Sequence, residues 1–439
     1  MIKKRAIALL CIMSFGVVHS RHLIKECTTL IYIAADNDLD IFAERNIKQM
    51  MKVGQSEHLN IVLCVNTSEK KYSIKTTKII SIEKNNARIL KKTTLPQYTD
   101  SGKSETLVDF CTYAIEEFPA RNYVLIFWNH GTGALDPFVR RQIPTSDIFL
   151  FDAESDPSTS PCYLDNLTLT NNLRPPLKAI CFDDSTGNFL TEKTMVSALQ
   201  QICEGPLKGK KFDIIGFDAC LMAMIETAFS IKDFANIMVA SQEVELGAGW
   251  DYKKVFTPFL FKNLSPHEFG KHIVEAYSKT YNFIDDFTLS CIDLTKIDPL
   301  VQNIQQLAQF LHSRCTKKSN TLFFDLIKAS RHKHSCTHFD EPDYIDLHHF
   351  YKNLLHNVAH LPHCNNNILI QEIDDLKRLL ITGMEFMQQT VIMRSAGKYF
   401  PEAQGLSIYF PEHTIHKSYK SNKFATHSYW FSFLKSYFS

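Results

Sequence analysis

The sequence predicts an α/β protein: a doubly wound, mostly parallel sheet with helices on both faces, extended by an α-rich C-terminal addition. Three observations lead there. Two short apolar runs, 122–128 (NYVLIFW) and 211–217 (KFDIIGF), have the length and content of strands buried on both sides. Stretches of helical period alternate with such runs from residue 29 to residue 241, which is the rhythm of β–α–β crossovers. Each of the two runs stops at chemistry-bearing residues, Asn129-His130-Gly131-Thr132-Gly133 and Asp218-Ala219-Cys220. Open α/β sheets present ligand-contacting groups at such strand ends.

In chain order, Lys3-Lys4-Arg5, an apolar stretch over 6–18 and Val18-His19-Ser20 read as a secretory signal (1–20) cut near Ser20. That stretch is short for a membrane span, so the mature chain is expected to be secreted or held in the periplasm or cell envelope, with no transmembrane segment; an uncleaved N-terminal anchor is the competing reading. Residues 29–35 read as a first strand, 39–53 as an amphipathic helix and 60–65 as a second strand. Residues 72–95, rich in Lys and Thr, suggest a solvent-facing hairpin. A helix over 106–118 precedes the His130 strand. Residues 134–178 are rich in Pro, Ser, Thr, Asp and Asn and form a long insertion, functional or disordered. A short strand (178–182), a helix (191–202), the Cys220 strand, a helix over 221–234 and a strand over 237–241 complete a unit spanning 21–255. The region 256–439 reads as α-rich: helices over 265–281, 298–315 and 376–389, strands at 287–293 and near Gly405, and an aromatic tail.

Forty-eight Lys and Arg against 47 Asp and Glu give a formal net charge of +1. This balance supplies no general attraction to nucleic acid. Of twelve cysteines, the signal removes Cys11, so an odd number remains and at least one thiol is unpaired within the chain. Cys64, Cys181 and Cys291 sit in apolar runs and read as buried and inert.

Cys220 differs from those. It follows a strand and precedes a stretch read as helix from Leu221, so its thiol is expected near helix-opening N–H groups that favour negative charge. Only the thiolate attacks, and it needs a base close by. His130, on the same sheet edge, supplies one.

At these residues the chain resembles the clostripain-type cysteine peptidases, which are caspase-like in fold (clan CD). The motifs are "NHG" and "DAC", each after an apolar strand, together with Tyr32-Ile33-Ala34-Ala35-Asp36-Asn37-Asp38-Leu39, Asp183-Asp184-Ser185-Thr186-Gly187-Asn188-Phe189-Leu190, Ala240-Ser241-Gln242-Glu243, Gly249-Trp250-Asp251-Tyr252 and Gly405-Leu406-Ser407-Ile408-Tyr409-Phe410-Pro411. The resemblance implies a dyad, Cys220 as nucleophile and His130 as general base and acid, with no third orienting side chain identifiable. It implies an oxyanion hole from the amides of Gly131 and Cys220, where the missing side chain of Gly131 lets substrate approach. Asp218 would bind a basic P1 side chain, and Glu243 and Trp250 would lie on substrate-side loops. The expected activity is endopeptidase cleavage of proteins or peptides after Arg, with Lys as a second option, and Arg140 and Arg141 are then candidate self-processing points. No cofactor is required by the sequence; Ca2+ at Asp36 and Asp38 is one reading, and turn chemistry explains Asp-Asn-Asp equally well.

Two readings compete. A catalytically inactive caspase-like module of the cell envelope would bind peptides without cutting them. A zinc hydrolase would draw on His332, His334, Cys336, His338, His348, His349, His363 and Cys364, whose spacing matches no compact zinc motif.

Overall fold

The computed structural model describes residues 24–69, 74–94, 99–135, 180–315, 321–361 and 367–439. The expected signal (1–20), Arg140, Arg141, His363 and Cys364 lie outside them. The strands are β1 (Lys25–Ala34), β2 (Leu59–Glu69), β3 (Ile74–Glu83), β4 (Asn86–Thr93), β5 (Ala120–Trp128), β6 (Ile180–Asp183), β7 (Asn188–Leu190), β8 (Phe212–Asp218), β9 (Ala235–Ala240), β10 (Thr288–Asp293), β11 (Tyr344–Asp346), β12 (Val391–Ala396) and β13 (Ser407–Tyr409). Among the described residues, nine strands form one sheet in the order β12-β10-β9-β8-β5-β1-β2-β3-β4. The centre, β9-β8-β5-β1-β2, is parallel, and both flanks are antiparallel. After β1 the chain adds β2 on one side and later β5 and β8 on the other, so the winding reverses between β1 and β5.

The central strands alternate between two apolar layers, as the two-residue period of a strand requires. Tyr32, Leu125, Phe127, Ile215 and Phe217 face one layer. Ile31, Ile33, Val124, Ile126, Trp128 and Ile214 face the other. The second layer is closed by α1 (Asp40–Val53), which buries Ala43, Met50 and Val53. The first is closed by α2 (Ser104–Glu117), through Leu107, Phe110 and Ala114, and by α3 (Glu192–Glu204), through Met195, Ala198 and Leu199. The capping box of α3, Thr191 with Thr194, satisfies its opening amides.

Several expectations need correction. The 72–95 region is a hairpin, but β3 is interior to the sheet and buries Ile79, Ile80 and Ile82; only β4 faces solvent. Its Arg88, Lys91 and Lys92 suit an edge strand, where charge discourages further pairing. The strand near residue 180 does not join the main sheet; β6 pairs with β7. Asn129 and Asn37 hold it there, because Asn129 Oδ1 accepts the Phe182 N–H at 2.8 Å and Asn37 Nδ2 donates to the Phe182 carbonyl at 3.0 Å.

The helix after Cys220 begins only at α4 (Ile225–Ile231). Leu221 and Ala223 donate their amides to Glu243 and Ser241, and Ala223 O accepts from Ser407. These long-range bonds use the groups a helix would need.

The later helices are α5 (Tyr252–Phe256), α6 (Pro266–Thr280), α7 (Ile297–Cys315), α8 (Thr321–Arg331), α9 (Leu347–Ala359), α10 (Asn367–Thr390), α11 (Lys423–His427) and α12 (Trp430–Tyr437). The C-terminal half supplies β10 and β12 to the same sheet, and its aromatic tail folds inward, with Trp430 and Phe433 fully buried. No described helix is long and apolar enough to cross a membrane.

Candidate active site

Three neighbouring parallel strands end at one edge of the sheet, with Ile33 beside Trp128 and Trp128 beside Asp218. Their continuations carry Asp36-Asn37-Asp38, Asn129-His130-Gly131 and Asp218-Ala219-Cys220. This edge, at the reversal of winding, is where such sheets bind ligands. Asn129 N donates to Asp218 O at 3.3 Å, which ties two of the strand ends together.

His130 and Cys220 line one cleft with Asp218 and the loop from Val244 to Gly249. The cleft holds about 30 Å³, room for a water or two rather than a long side chain. Cys220 Sγ accepts the Glu245 N–H at 3.4 Å. Burial, with that amide opposing it, pushes the thiol up to about 12, so it holds its proton while the cleft is closed. The expected helix-terminus assistance is absent because the helix starts five residues later. Gly131 also meets a packing demand beyond the role expected of it. A Cβ there would stand 2.5 Å from the Cys220 carbonyl oxygen and 3.1 Å from the Met222 side chain, so glycine is what lets the two strand ends touch.

His130 does have a side-chain partner: its Nε2 lies 2.6 Å from Asp38 Oδ1. The neighbouring Asp36 is occupied otherwise, in a buried ion triad with Lys75 and Asp183.

Asp218 sits on the cleft floor, 5% exposed. It accepts the Trp250 N–H at 3.2 Å on both oxygens and the Tyr252 hydroxyl at 2.8 Å. Burial raises its carboxyl to about 6 against the pull of these bonds. Beside it, burial and then the charge of Asp218 push Glu245 well up. Gly249, at φ +62°, passes so close that a Cβ would meet Asp218 Oδ1 at 2.6 Å.

Glu243 and Trp250 were expected on substrate-side loops, yet both side chains turn inward. The Glu243 carboxylate accepts from Val244 N and Asp340 N, and burial raises it to about 8. The Trp250 ring is fully buried against Gly216, and its Nε1 donates to Glu245 at 3.1 Å. They shape the loop from behind.

The histidine-rich segment does not converge. His338 spends its ring nitrogens on the Pro342 and Arg331 carbonyls, and His349 Nδ1 pairs with Thr337. Cys336 is buried, and His334 is exposed. Among the described residues no group of three or more His, Cys, Asp or Glu is arranged to hold a metal ion. Cys64, Cys181 and Cys291 are buried with thiols raised by burial, in line with inert residues.

Sequence reasoning missed Glu245 and Tyr252 as parts of this site, and it placed Asp38 on the catalytic edge without a role toward His130. The signal for Asp38 was its place at a parallel strand's carboxyl end; what was hidden was that its strand lies next to that of His130. Glu245 and Tyr252 flank Gly249-Trp250, so only the loop's path brings them to Asp218.

Among known proteins, clostripain of Hathewaya histolytica is 27% identical over 255 residues, which span 53% of this chain and 42% of that protein. The chain thus matches less than half the length of this relative. A secreted C11 cysteine protease from Bacteroides thetaiotaomicron, solved with an irreversible peptide inhibitor, superposes with a TM-score of 0.59 at 19% identity, over 93% of this chain and 99% of that one. An inactive zymogen C11 protease from Parabacteroides distasonis gives 0.57 at 17% identity, over 92% and 99%. These two share the fold, which confirms the caspase-like α/β expectation. The clostripain family model matches residues 31–147 and 167–437; with nearly the whole chain covered, this protein belongs to the clostripain family of C11 peptidases.

Proposed function

We propose that this chain is an exported cysteine endopeptidase that hydrolyses peptide bonds after Arg or Lys. One observation carries the reading: an imidazole and a thiol, from adjacent parallel strands, line the same cleft above a buried carboxylate. Substrate must first part the loop at 244–249 from Cys220, since the closed cleft is too small for a basic side chain. His130 then takes the thiol proton as Sγ attacks the scissile carbonyl. The amides of Gly131 and Cys220 receive the oxyanion. His130 returns the proton to the leaving amine, and water hydrolyses the thioester by the reverse sequence. Asp218 receives the P1 guanidinium or ammonium through a charge-assisted hydrogen bond, exchanging partners within the 249–252 loop.

The test is cleavage of Arg- and Lys-containing fluorogenic peptides by the wild type, Cys220→Ala and His130→Ala, with and without iodoacetamide. Thiol-sensitive cleavage lost in both variants supports the proposal; cleavage that survives Cys220→Ala refutes it. A chelator arm reads calcium dependence in the same assay. The proposal extends to self-cleavage at Arg140 or Arg141, which predicts that wild type is nicked there and Cys220→Ala is intact. Export is read by fractionating cells that express the full chain.

A further inference from the structure

We infer that Asp38 is a positioning residue: it fixes the tautomer and orientation of the His130 ring so that Nδ1 is the nitrogen that receives the Cys220 proton. This rests on the Cys220–His130 reading above and extends it from two side chains to three.

The contact is short, 2.6 Å from Asp38 Oδ1 to His130 Nε2, and the turn that delivers Asp38 is pinned. Asn37 Nδ2 donates to the Ala34 carbonyl at 3.1 Å and to the Phe182 carbonyl, and its Oδ1 accepts the Leu39 amide at 3.0 Å. Asn37 thus does the local turn-forming work, and Asp36 is held by Lys75. Asp38 leaves β1 on one side of the winding reversal and His130 leaves β5 on the other, so the pair bridges the seam where the cleft opens.

The chemistry follows from what each group can do. An ionised carboxylate only accepts hydrogen bonds, so Nε2 must carry the hydrogen. Nδ1 then holds the lone pair and is the ring atom able to take a proton from sulfur. When it does, the imidazolium stands beside a negative charge. In serine peptidases the corresponding buried Asp plays this part, and its Asn replacement costs about 10⁴ in kcat by favouring the wrong tautomer. The Asp38 side chain is 55% exposed, so water competes for the ring and a smaller loss follows.

The experiment measures two things in Asp38→Ala, Asp38→Asn, His130→Ala and Asp38→Ala/His130→Ala. One is the rate of Cys220 alkylation by iodoacetamide, followed by peptide mass spectrometry, which needs no substrate. The other is kcat and KM on an Arg peptide. Asp38→Ala is expected to lower kcat by roughly ten- to a hundredfold with KM within about twofold. Asp38→Asn, which keeps the turn and loses the charge, is expected to remain impaired. The double variant is expected to alkylate at the rate of His130→Ala alone. Full activity in Asp38→Asn, or a loss that multiplies onto that of His130→Ala, overturns the proposal and leaves Asp38 a turn residue. Alkylation indifferent to His130→Ala instead overturns the underlying Cys220–His130 reading, a distinguishable failure.

Discussion

Replacing Glu226 by Gln should make the protein more stable at pH 8 and leave it nearly unchanged at pH 4.5. Glu226 lies in α4 with no exposed surface. One carboxyl oxygen accepts the Tyr409 N–H at 3.0 Å and the Tyr419 hydroxyl at 2.8 Å, while the other is buried without a partner. Burial, with Glu192 adding to it, raises the group from 4.5 to about 7. The folded chain therefore keeps a proton that the unfolded chain releases near 4.5. Between those values the native state binds more protons, so stability falls as pH rises, by about 1.4 kcal/mol per pH unit. Above the upper value the accumulated loss is about 3 kcal/mol. Gln keeps the carbonyl acceptor for Tyr409 and Tyr419 and removes the ionisation. The comparison belongs in a Cys220→Ala background, to prevent self-digestion, with guanidinium unfolding followed by tryptophan fluorescence at both pH values. Asp218, Glu243 and Asp346, also raised, titrate in both proteins and cancel in the difference. A difference independent of pH, or a Gln variant weaker at pH 8, would refute the assignment of this buried proton.

Three more outcomes are expected. Gly131→Ala must push its Cβ away from the Cys220 carbonyl, starting from 2.5 Å; the cost is about 1–3 kcal/mol of stability from overpacking and roughly a hundredfold in kcat from misplacement of the reacting groups, read by unfolding and by peptide kinetics. Asp218→Asn should lower kcat/KM on an Arg peptide roughly ten- to a hundredfold, the value of one charged hydrogen bond, while iodoacetamide labelling of Cys220 changes by no more than a few fold; equal losses in both would remove its part in specificity. Lys75→Met strips the cation from Asp36 and Asp183 and should cost about 3–5 kcal/mol, partly restored by adding Asp36→Asn and Asp183→Asn, as measured by unfolding midpoints.

The central strands were legible because burial on both faces writes itself as short unbroken apolar runs, and 122–128 and 212–218 are such runs. Their termini followed directly, which put His130 and Cys220 on one edge. The stretch after Cys220 misled because Leu221-Met222-Ala223-Met224 has strong helical propensity. That propensity was overridden by pairing with Ser241, Glu243 and Ser407, partners up to 184 residues away that no local pattern reveals. The same limit hid the pairing of Asp38 with His130: the residue's place on the catalytic edge was legible, but strand adjacency is set by winding order. Glu243 and Trp250 bracket the 244–249 loop, and which way they face was decided by Asp340 and Gly216.

Because β8, from beyond the insertion, pairs directly with β5, from before it, one sheet runs unbroken across the two segments. Phe127 stacks on Phe217 with centroids 5.4 Å apart, Asn129 grips Phe182, and Gly131 abuts Cys220. A backbone break anywhere between Leu135 and Ile180 would therefore yield not two separate fragments but a heterodimer joined along the β5–β8 pairing, one piece carrying the imidazole and the other the sulfur. It would run as two bands in detergent and elute as a single particle in native buffer.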